Sequence, residues 1–300
     1  MKKAISFIVP AFNEEQSLVQ VLTSLNEHLK ELNIEYEILV IDDGSSDSTA
    51  SLASYFFNQN PKTGVLIQNG RNRGYGYSLK HGAREAKHPY LFFYDADGQH
   101  RGDQVSKLVE ACTPSTRLII GKRSDGKATP AWRKPGKAVI KKVTKIITRT
   151  DFPDLFSGFR LWDRKSFLEM VGILPNGFSI STTSTVASQF TGIDIQWVEI
   201  EVEKRVGKSS ATVWDGFRIL LLLVRIITLF SPLRVFVPIS ILVGILGMYF
   251  TVTSYIEQEV SSIRGLIALL ISLTIALQGL LVDQISALRR GEKITYSKND

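Results

Sequence analysis

The chain has 300 residues, a net charge of +7 and one cysteine, with 44% hydrophobic and 22% charged residues. This length allows one large domain or a domain with an appendage. The single Cys112 excludes an intramolecular disulfide and favours a reducing compartment. We predict no cleavable signal peptide, because the apolar run after Lys3 is short and soon reaches Pro10 and Asn13.

Short apolar runs alternate with amphipathic segments along the first third of the chain. We predict strands at residues 4–10, 36–41, 65–67 and 90–93, and helices from Asn13, from Ser48 to Phe57 and from Gly74 to Ala86. Repeated βα units are typical of an α/β fold with a mostly parallel sheet and helices on both faces. Ligands of such sheets bind beyond the carboxyl ends of the strands.

Acidic residues follow two of these strands. Asp95 and Asp97 come directly after residues 90–93, and two carboxylates one residue apart can hold a hard divalent cation, Mg²⁺ or Mn²⁺, shared with a substrate diphosphate. The alternative for this pair is a solvated turn. Asp42-Asp43-Gly44-Ser45 follows residues 36–41 and can accept hydrogen bonds from a base or a ribose, the alternative being a turn with a helix cap.

The segment Asn72-Arg73-Gly74-Tyr75-Gly76 resembles a dinucleotide-binding fingerprint only superficially. Its glycines, with Gly82, do not follow the G-x-G-x-x-G spacing. We expect the backbone N–H groups of this loop, together with Arg73, to approach a diphosphate.

A basic segment lies between Lys122 and Arg149, with ten basic residues and one acidic residue. Four of its lysines share one face of a predicted helix: Lys134, Lys137, Lys141 and Lys145. A basic amphipathic helix indicates a membrane surface or an anion site, and a solvated face is the alternative. Nucleic acid is not a predicted partner, since aromatic residues are not interleaved with the basic ones.

Two uncharged runs near the C-terminus, residues 235–256 and 265–282, are 22 and 18 residues long. Both reach the length that a membrane-spanning helix needs, and a short polar connector makes them a hairpin. A pair of buried core helices is the alternative. Basic residues flank the hairpin on the side of both chain ends, which predicts an integral membrane protein with both termini in the cytoplasm.

The residues before the hairpin, around Trp214 to Arg225, predict an amphipathic helix at the membrane interface. The predicted organisation is therefore a cytoplasmic domain at 1–212, an interfacial helix at 213–231, a two-span hairpin at 232–284 and a cytoplasmic tail at 285–300.

Seven motifs, in their order, resemble family 2 glycosyltransferases with the GT-A (Rossmann-like) fold, and more narrowly the polyprenyl-phosphate monosaccharide transferases. They are Pro10-x-x-Asn13-Glu14, Asp42-Asp43-Gly44-Ser45, Asn72-x-Gly74-x-Gly76, Asp95-x-Asp97-x-Gln99, Asp154-x-x-Ser157-Gly158-Phe159-Arg160, Arg205-Val206-Gly207-Lys208-Ser209 and Ser231-Pro232-Leu233-Arg234. The resemblance covers about residues 4–240. It implies inverting transfer of a monosaccharide from a UDP- or GDP-linked sugar to undecaprenyl or dolichyl phosphate, at the cytoplasmic face of the membrane (the cell inner membrane in a prokaryote).

The resemblance also implies roles by position. Donor binding would fall to Pro10, Asn13, Glu14, Asp42, Asp43, Arg73, Gly74, Asp95 and Ser209; Mg²⁺ or Mn²⁺ to Asp95, Asp97 and Gln99; the acceptor phosphate to Arg123 and Arg133; and catalysis to Asp97, Asp154 and Arg205. The chain departs from the pattern twice. Many relatives carry a glutamate where this chain reads Ser179-Ile180-Ser181 after Gly177-Phe178, and Gly136 stands near a position where relatives often have a phosphate-binding serine.

Two other functions compete with this prediction. A processive polysaccharide synthase would share the early motifs, but its Gln-x-x-Arg-Trp motif is not found in the sequence. A membrane-tethered protein that binds a nucleotide sugar without catalysis would better suit a chain that lacked the metal ligands. A homo-oligomer is a further partner that the sequence leaves open.

Overall fold

The computed structural model describes residues 3–123, 138, 141–142, 144–145, 148–201, 228, 231–256 and 263–296, with the side chains of the last helix described as far as Ala287. The chain divides into two compact units, Met1–Ile219 and Leu220–Asp300.

The first unit alternates strands and helices. Its described elements are β1 (Lys3–Ala11), α1 (Leu18–Glu31), β2 (Ile34–Asp42), α2 (Thr49–Gln59), β3 (Gly64–Gln68), α3 (Tyr75–Glu85), β4 (Tyr90–Phe93), α4 (Gly102–Ala111), β5 (Leu118–Arg123), β6 (Arg160–Asp163), α5 (Arg164–Met170), α6 (Ile180–Thr191) and β7 (Ile195–Ile200).

The seven strands form one sheet in the order β3-β2-β1-β4-β6-β5-β7. β1 pairs in parallel with β2 on one side and with β4 on the other, while β6 runs antiparallel to both β4 and β5. The connections therefore lead in opposite directions from β1, and the carboxyl ends of β1 and β4 border a crevice of the kind in which ligands bind. The prediction of a mostly parallel sheet is confirmed.

Apolar side chains at consecutive positions of the strands point to opposite faces of the sheet and so cover both faces, as a buried parallel sheet requires. Phe7, Val9 and Val40 belong to the core beneath α1, α2 and α4. On the opposite face Ile8 and Ile41 pack against Gly82 of α3, where an added Cβ would lie 2.6 Å from Ile8 Cγ2. Helices thus cover both faces, as predicted.

Two local predictions were wrong. The strand does not stop at Pro10 but continues to Ala11, because pairing with β4 already ends at Ile8 and the missing N–H leaves no gap in that ladder. The first helix begins at Leu18, not at Asn13. Asn13 has a φ of 55°, which a helix does not allow, and its amide oxygen accepts a hydrogen bond from Ser46 N at 2.9 Å.

The second unit contains two long helices, α7 (Leu233–Ile256) and α8 (Ile263–Tyr296). In the most apolar part of each helix only 11% of the residues are buried, so these are not core helices. Both are long and apolar enough to cross a membrane. Small residues bring them together: a Cβ added at Gly247 would lie 2.9 Å from Leu269 N. Ser272 Oγ donates to Ser240 O at 2.7 Å, which is typical of packing between membrane helices.

Candidate functional site

The loops that follow β1, β2 and β4 lie together at the carboxyl edge of the sheet. Asp43 N donates to Ala11 O at 2.8 Å, and Tyr94 N donates to Ile8 O at 3.0 Å. The loop after β2 and the loop after β4 therefore both begin next to the end of β1. Most of the predicted site residues fall in these loops, and the parallel strands are what bring them to one edge.

The backbone of the loop from Asp95 to His100 accepts hydrogen bonds from the residue before the loop and from the residue before α1. Tyr94 Oη donates to His100 O at 2.6 Å, and Ser17 Oγ donates to Ala96 O at 2.7 Å. Asp97 is 8% exposed, and its Oδ1 accepts from Gln99 N at 3.1 Å. The Asp97 carboxylate is therefore held by its own buried turn and does not lie in a solvated one.

An aromatic cluster supports this loop from below. The ring of Phe159 meets that of Phe92 edge-on at 4.9 Å, and His100 stacks on Phe159 at 4.4 Å. Burial lowers the pKa of His100 to about 4, with a contribution from Arg123, although Asp97 opposes the shift. The imidazole is therefore neutral at pH 7, and among the described residues its Nδ1 has no hydrogen-bond partner.

Arg123 and Asp154 form a bidentate pair. Arg123 Nε lies 2.6 Å from Asp154 Oδ2, and Arg123 Nη2 lies 2.8 Å from Asp154 Oδ1. Burial alone would raise the pKa of Asp154, but the hydrogen bonds and charge of Arg123 outweigh burial and lower it. The charge of Asp95 also helps to raise the pKa of Arg123. Two residues that were predicted to have separate roles thus contact each other near Asp95.

We expect Asp154→Asn to destabilise the protein by about 1.5–3 kcal/mol at pH 7, the usual contribution of hydrogen bonds to charged groups. Because folding lowers the pKa of Asp154, this contribution is fully present above its ordinary value of 3.8 and is lost as the pH falls below it. Urea unfolding at pH 7 and well below pH 3.8 should therefore show a difference from the wild type that shrinks in acid.

The matched control is Asp151→Asn, which removes an exposed carboxylate paired with Lys141 and Lys145. Surface pairs contribute about 1 kcal/mol or less, so this variant should stay close to the wild type. A stability loss in Asp154→Asn that is the same at both pH values would contradict the charge pairing.

Arg160 is a third charged residue, which interacts electrostatically with the Arg123–Asp154 pair, and it is 1% exposed. Its Nε donates to Ser157 O at 2.7 Å and its Nη1 donates to Ser184 Oγ at 3.0 Å, while Nη2 has no partner among the described residues. Burial lowers the pKa of Arg160 to about 10, so the side chain is a cation at pH 7. The negative charges of Tyr75, when ionised, and of Asp154 oppose this lowering of the pKa, and the positive charge of Arg123 adds to it.

Asp43 organises the loop before α3. Its Oδ1 accepts from Asn69 Nδ2 at 2.7 Å and from Arg73 N at 3.0 Å, and its Oδ2 accepts from Gly74 N at 2.7 Å. A carboxylate of the protein therefore already occupies the N–H groups of Arg73 and Gly74, and the approach of this loop to a diphosphate stays a prediction. The Arg73 guanidinium packs over Tyr77 and donates to its hydroxyl at 2.7 Å.

The turn after β2 requires a glycine. Asp42 is buried and its Oδ1 accepts from Ser45 N at 3.1 Å, which closes the turn over Gly44. Gly44 has a φ of 76°, and an added Cβ would lie 2.6 Å from the backbone of Arg71. The close approach of this turn to the loop at residues 69–74 therefore depends on the missing side chain. The nucleoside contacts proposed for Asp42 and Asp43 stay predictions.

We expect Gly44→Ala to destabilise the protein by at least about 1 kcal/mol more than Gly70→Ala. Both glycines have a positive φ, 76° and 71°, so both variants bear the left-handed strain of about 1–2 kcal/mol. Nothing lies within 4 Å of a Cβ at Gly70, whereas overpacking at Gly44 adds about 1–3 kcal/mol. Denaturant midpoints of the two variants measure the difference, and equal midpoints would contradict the packing argument.

The loop after β1 joins the same network. Asn13 N donates to Ser45 Oγ at 3.0 Å, and Glu14 N donates to Thr49 Oγ1 at 2.9 Å. Pro10 is buried within β1. The structure does not describe Arg133, Lys137, Arg205 and Ser209. It also does not describe the predicted interfacial helix at 213–231, apart from residues 228 and 231. Their predicted roles stay predictions.

The donors at the carboxyl end of β4 suit a particular kind of metal site. In the part of the chain that the structure describes, no group of three or more His, Cys, Asp or Glu side chains could hold a metal ion. Two carboxylates and the Gln99 amide are hard oxygen donors that leave coordination positions to water and substrate phosphates, as Mg²⁺ and Mn²⁺ sites commonly do. The residues fit a cation shared with a diphosphate, and do not fit an enclosed structural metal.

Three residues of this site were not predicted individually: Tyr75, His100 and Arg160. Each stands in or beside a motif that the sequence analysis singled out. Their signal was present in the motifs at residues 72–76, 95–99 and 154–160, but the residue types alone did not indicate which atoms they contact.

Family models match most of the chain. The model described as "Glycosyl transferase family 2" matches residues 6–170, and "GtrB C-terminal hairpin" matches residues 231–288. Solved structures share the fold: a glucosyl-3-phosphoglycerate synthase from Mycobacterium tuberculosis in complex with Mn²⁺, UDP-glucose and phosphoglyceric acid has a TM-score of 0.58 at 17% identity, covering 75% of this chain and 80% of that chain.

Curated relatives extend the match along the chain. "Glycosyltransferase AglJ" of Haloferax volcanii is 26% identical, over 96% of this chain and 95% of its own length. An undecaprenyl-phosphate 4-deoxy-4-formamido-L-arabinose transferase of Pseudomonas fluorescens is 24% identical over 82% of this chain and 71% of that protein. A dolichol-phosphate mannosyltransferase of Pyrococcus furiosus is 29% identical over 63% of this chain and 54% of that protein.

Proposed function

Because the chain belongs to glycosyl transferase family 2, we propose that it moves a monosaccharide from a nucleotide-diphosphate sugar to a polyprenyl phosphate, with inversion. The observation that carries this proposal is the Asp95–Asp97 pair at the carboxyl end of β4, in a chain that also has two membrane-length helices. The names of two relatives, which act on undecaprenyl and dolichol phosphates, support the acceptor class.

The donor site is proposed at the carboxyl edge of β1, β2 and β4. Asp95, Asp97 and Gln99 would hold Mg²⁺ or Mn²⁺ on the diphosphate, and the bound cation would stabilise the negative charge of the leaving group. Among the described residues, the charged side chains near this site are three carboxylates and two guanidinium groups: Asp95, Asp97, Asp154, Arg123 and Arg160. These five side chains together carry one net negative charge, and a bound divalent cation would make the net charge of the site positive. A positive site suits both the UDP or GDP leaving group and an anionic acceptor.

The acceptor side is proposed at Arg123 and Asp154. A phosphate monoester loses its second proton near pH 6, so the lipid phosphate is a nucleophile at pH 7 and needs no strong general base. The pKa of Asp154 is lowered, so this carboxylate is ionised at pH 7. It can therefore stabilise positive charge that develops at the sugar ring, but it cannot donate a proton. Arg123, held by Asp154, would face the acceptor phosphate together with Arg133, while Arg205 and Ser209 would close over the donor.

The apolar helices α7 and α8 are proposed to anchor the enzyme. Arg234 in the first turn of α7 and the basic residues near the end of α8 support a cytoplasmic position for both termini and the catalytic unit, at the inner membrane if the cell is prokaryotic. We propose residues 1–212 as the catalytic part, 213–231 as the interfacial helix, 232–284 as the hairpin and 285–300 as the tail. Homo-oligomerisation is compatible with this arrangement.

Transfer of a radiolabelled sugar to lipid tests the proposal. The full-length protein in detergent would receive labelled UDP- and GDP-sugars, a polyprenyl phosphate and Mg²⁺ or Mn²⁺, with EDTA as the control. We expect a chloroform-extractable lipid that carries one sugar. Growth of a polymer would instead identify a processive synthase, and nucleotide-sugar binding without turnover would identify a non-enzymatic binding protein.

A further inference from the structure

Tyr75 opens α3 directly after Gly74, whose φ of 98° turns the chain into the helix. From there its side chain reaches the carboxyl end of β4, where Tyr75 Oη lies 2.7 Å from Asp95 Oδ1. An ionised carboxylate can only accept, so the phenol is the donor. Hydrogen bonds to a charged acceptor are about twice as strong as neutral ones, so this contact restricts the rotation of the Asp95 side chain.

The phenol ring is fixed from two sides. Phe178 stacks on it with 5.2 Å between the centroids and 16° between the planes. At Gly158 an added Cβ would lie 3.1 Å from Tyr75 Oη and 3.1 Å from Asp95 Oδ2, so this glycine backbone packs against both partners of the hydrogen bond. The Tyr75 hydroxyl and the Asp95 carboxylate are therefore positioned together.

The loop that carries Phe178 is attached to α3 by buried hydrogen bonds. Lys80 Nζ donates to Leu174 O at 3.0 Å and to Asn176 Oδ1 at 2.5 Å, and Tyr77 N donates to Asn176 O at 3.0 Å. Phe178 itself is 61% exposed, so burial in the core does not explain its place. The ring contact described for Phe178 is its stack on Tyr75. The loop therefore holds the Phe178 ring against the Tyr75 ring.

We propose that Tyr75, held by Phe178, is a positioning residue that orients the Asp95 carboxylate for the divalent cation. This inference rests on the proposed function, which gives Asp95 to the metal. The partners that hydrogen-bond a ligating carboxylate set its orientation, and their removal commonly lowers metal affinity by about 10–100-fold. Tyr75 acts through Asp95 and makes no contact with the metal in this proposal.

The test uses Tyr75→Phe in the full-length protein, because this change removes the hydroxyl and keeps the ring that stacks on Phe178. Isothermal titration of Mn²⁺ in the presence of UDP or GDP should show a Kd about 10-fold or more above that of the wild type. The KM for the lipid acceptor should stay unchanged. The matched control is Tyr90→Phe, which removes a hydroxyl that donates to Thr113 O at the surface and should leave the Mn²⁺ affinity unchanged.

Phe178→Leu provides a second variant, since it removes the stack at an exposed position and leaves the hydroxyl in place. We expect a rise of the Mn²⁺ Kd that is smaller than that of Tyr75→Phe, because the hydrogen bond to Asp95 is kept. If Tyr75→Phe lowers the melting temperature but leaves the Mn²⁺ Kd unchanged, the residue is merely structural and the inference is overturned. It is equally overturned if the wild type binds no Mn²⁺.

The inference and the proposed function fail in different assays. Wild-type protein that binds Mn²⁺ with a nucleotide but transfers no sugar to lipid would overturn the function and leave the role of Tyr75 standing. Wild-type transfer together with unchanged Mn²⁺ affinity in Tyr75→Phe would overturn the role of Tyr75 alone.

Discussion

Replacing Asp95 or Asp97 by alanine is expected to lower sugar transfer by at least about 10³-fold while the protein remains folded. Metal-assisted stabilisation of charge contributes several kcal/mol to a transition state, and about 4 kcal/mol corresponds to this factor. After either change the remaining carboxylate has to hold the cation without its partner, since the described residues contain no group of three or more His, Cys, Asp or Glu side chains that could hold a metal ion. Initial rates of transfer to lipid, with circular dichroism for folding, measure the effect.

The matched control is Asp103→Ala, which removes an exposed carboxylate that pairs with Arg101 just after the same loop. It should keep nearly full activity, because exposed ion pairs contribute about 1 kcal/mol or less. Turnover that persists in EDTA, or near wild-type rates in either Asp95→Ala or Asp97→Ala, would remove these carboxylates from the mechanism.

A chain shortened to end at Ile219 is expected to bind nucleotide diphosphate with metal but to glycosylate a long-chain lipid phosphate at least about 10²-fold more slowly. Met1–Ile219 forms one compact unit and contains every described residue of the proposed donor site. The loss of rate follows from the effective concentration that a membrane anchor provides, commonly a factor of about 10²–10⁴. Transfer to lipid in vesicles and nucleotide titration measure the two properties.

A short, water-soluble prenyl phosphate is the control for this second prediction. The shortened and full-length chains should use it at similar rates, because neither then depends on a membrane to meet its acceptor. If the shortened chain folds but binds no nucleotide, the hairpin is needed for the donor site. If it glycosylates long-chain lipid in vesicles at the full rate, the hairpin has another purpose.

The local pattern of residues determined the elements and their order in the first third of the chain. The predicted strands at 36–41 and 65–67 became β2 (Ile34–Asp42) and β3 (Gly64–Gln68), because a short apolar run rich in β-branched residues is a property of a few neighbouring positions. The two apolar helices were equally predictable, since length and the absence of charge are properties of the sequence alone. The Asp95-x-Asp97 motif could also be found from the sequence, because its two carboxylates stand one residue apart directly after an apolar run.

Contacts between distant positions were decided only by the tertiary structure. The pattern of βα units did not predict the antiparallel β6, which pairs with β4 across about 70 residues. Arg123 and Asp154 were predicted separately, and only the return of the chain through β6 makes them a pair. Sequence spacing reports neighbours along an element, whereas a sheet joins strands whose separation along the chain is not encoded in any local pattern.

The same reason explains the loop before α3. Its glycines indicated an anion site, but the structure places the Asp43 carboxylate on the N–H groups of Arg73 and Gly74. Tyr75 likewise had no signal of its own, because its predicted role depends on the contact of its hydroxyl with Asp95, which lies in the loop after β4. The sequence by itself determined which chemical groups reach the carboxyl edge of the sheet. The packing of α3 and β6 against that edge decided which of them bind one another and which remain available to a substrate, because hydrogen-bond partners depend on three-dimensional distance and not on chain order.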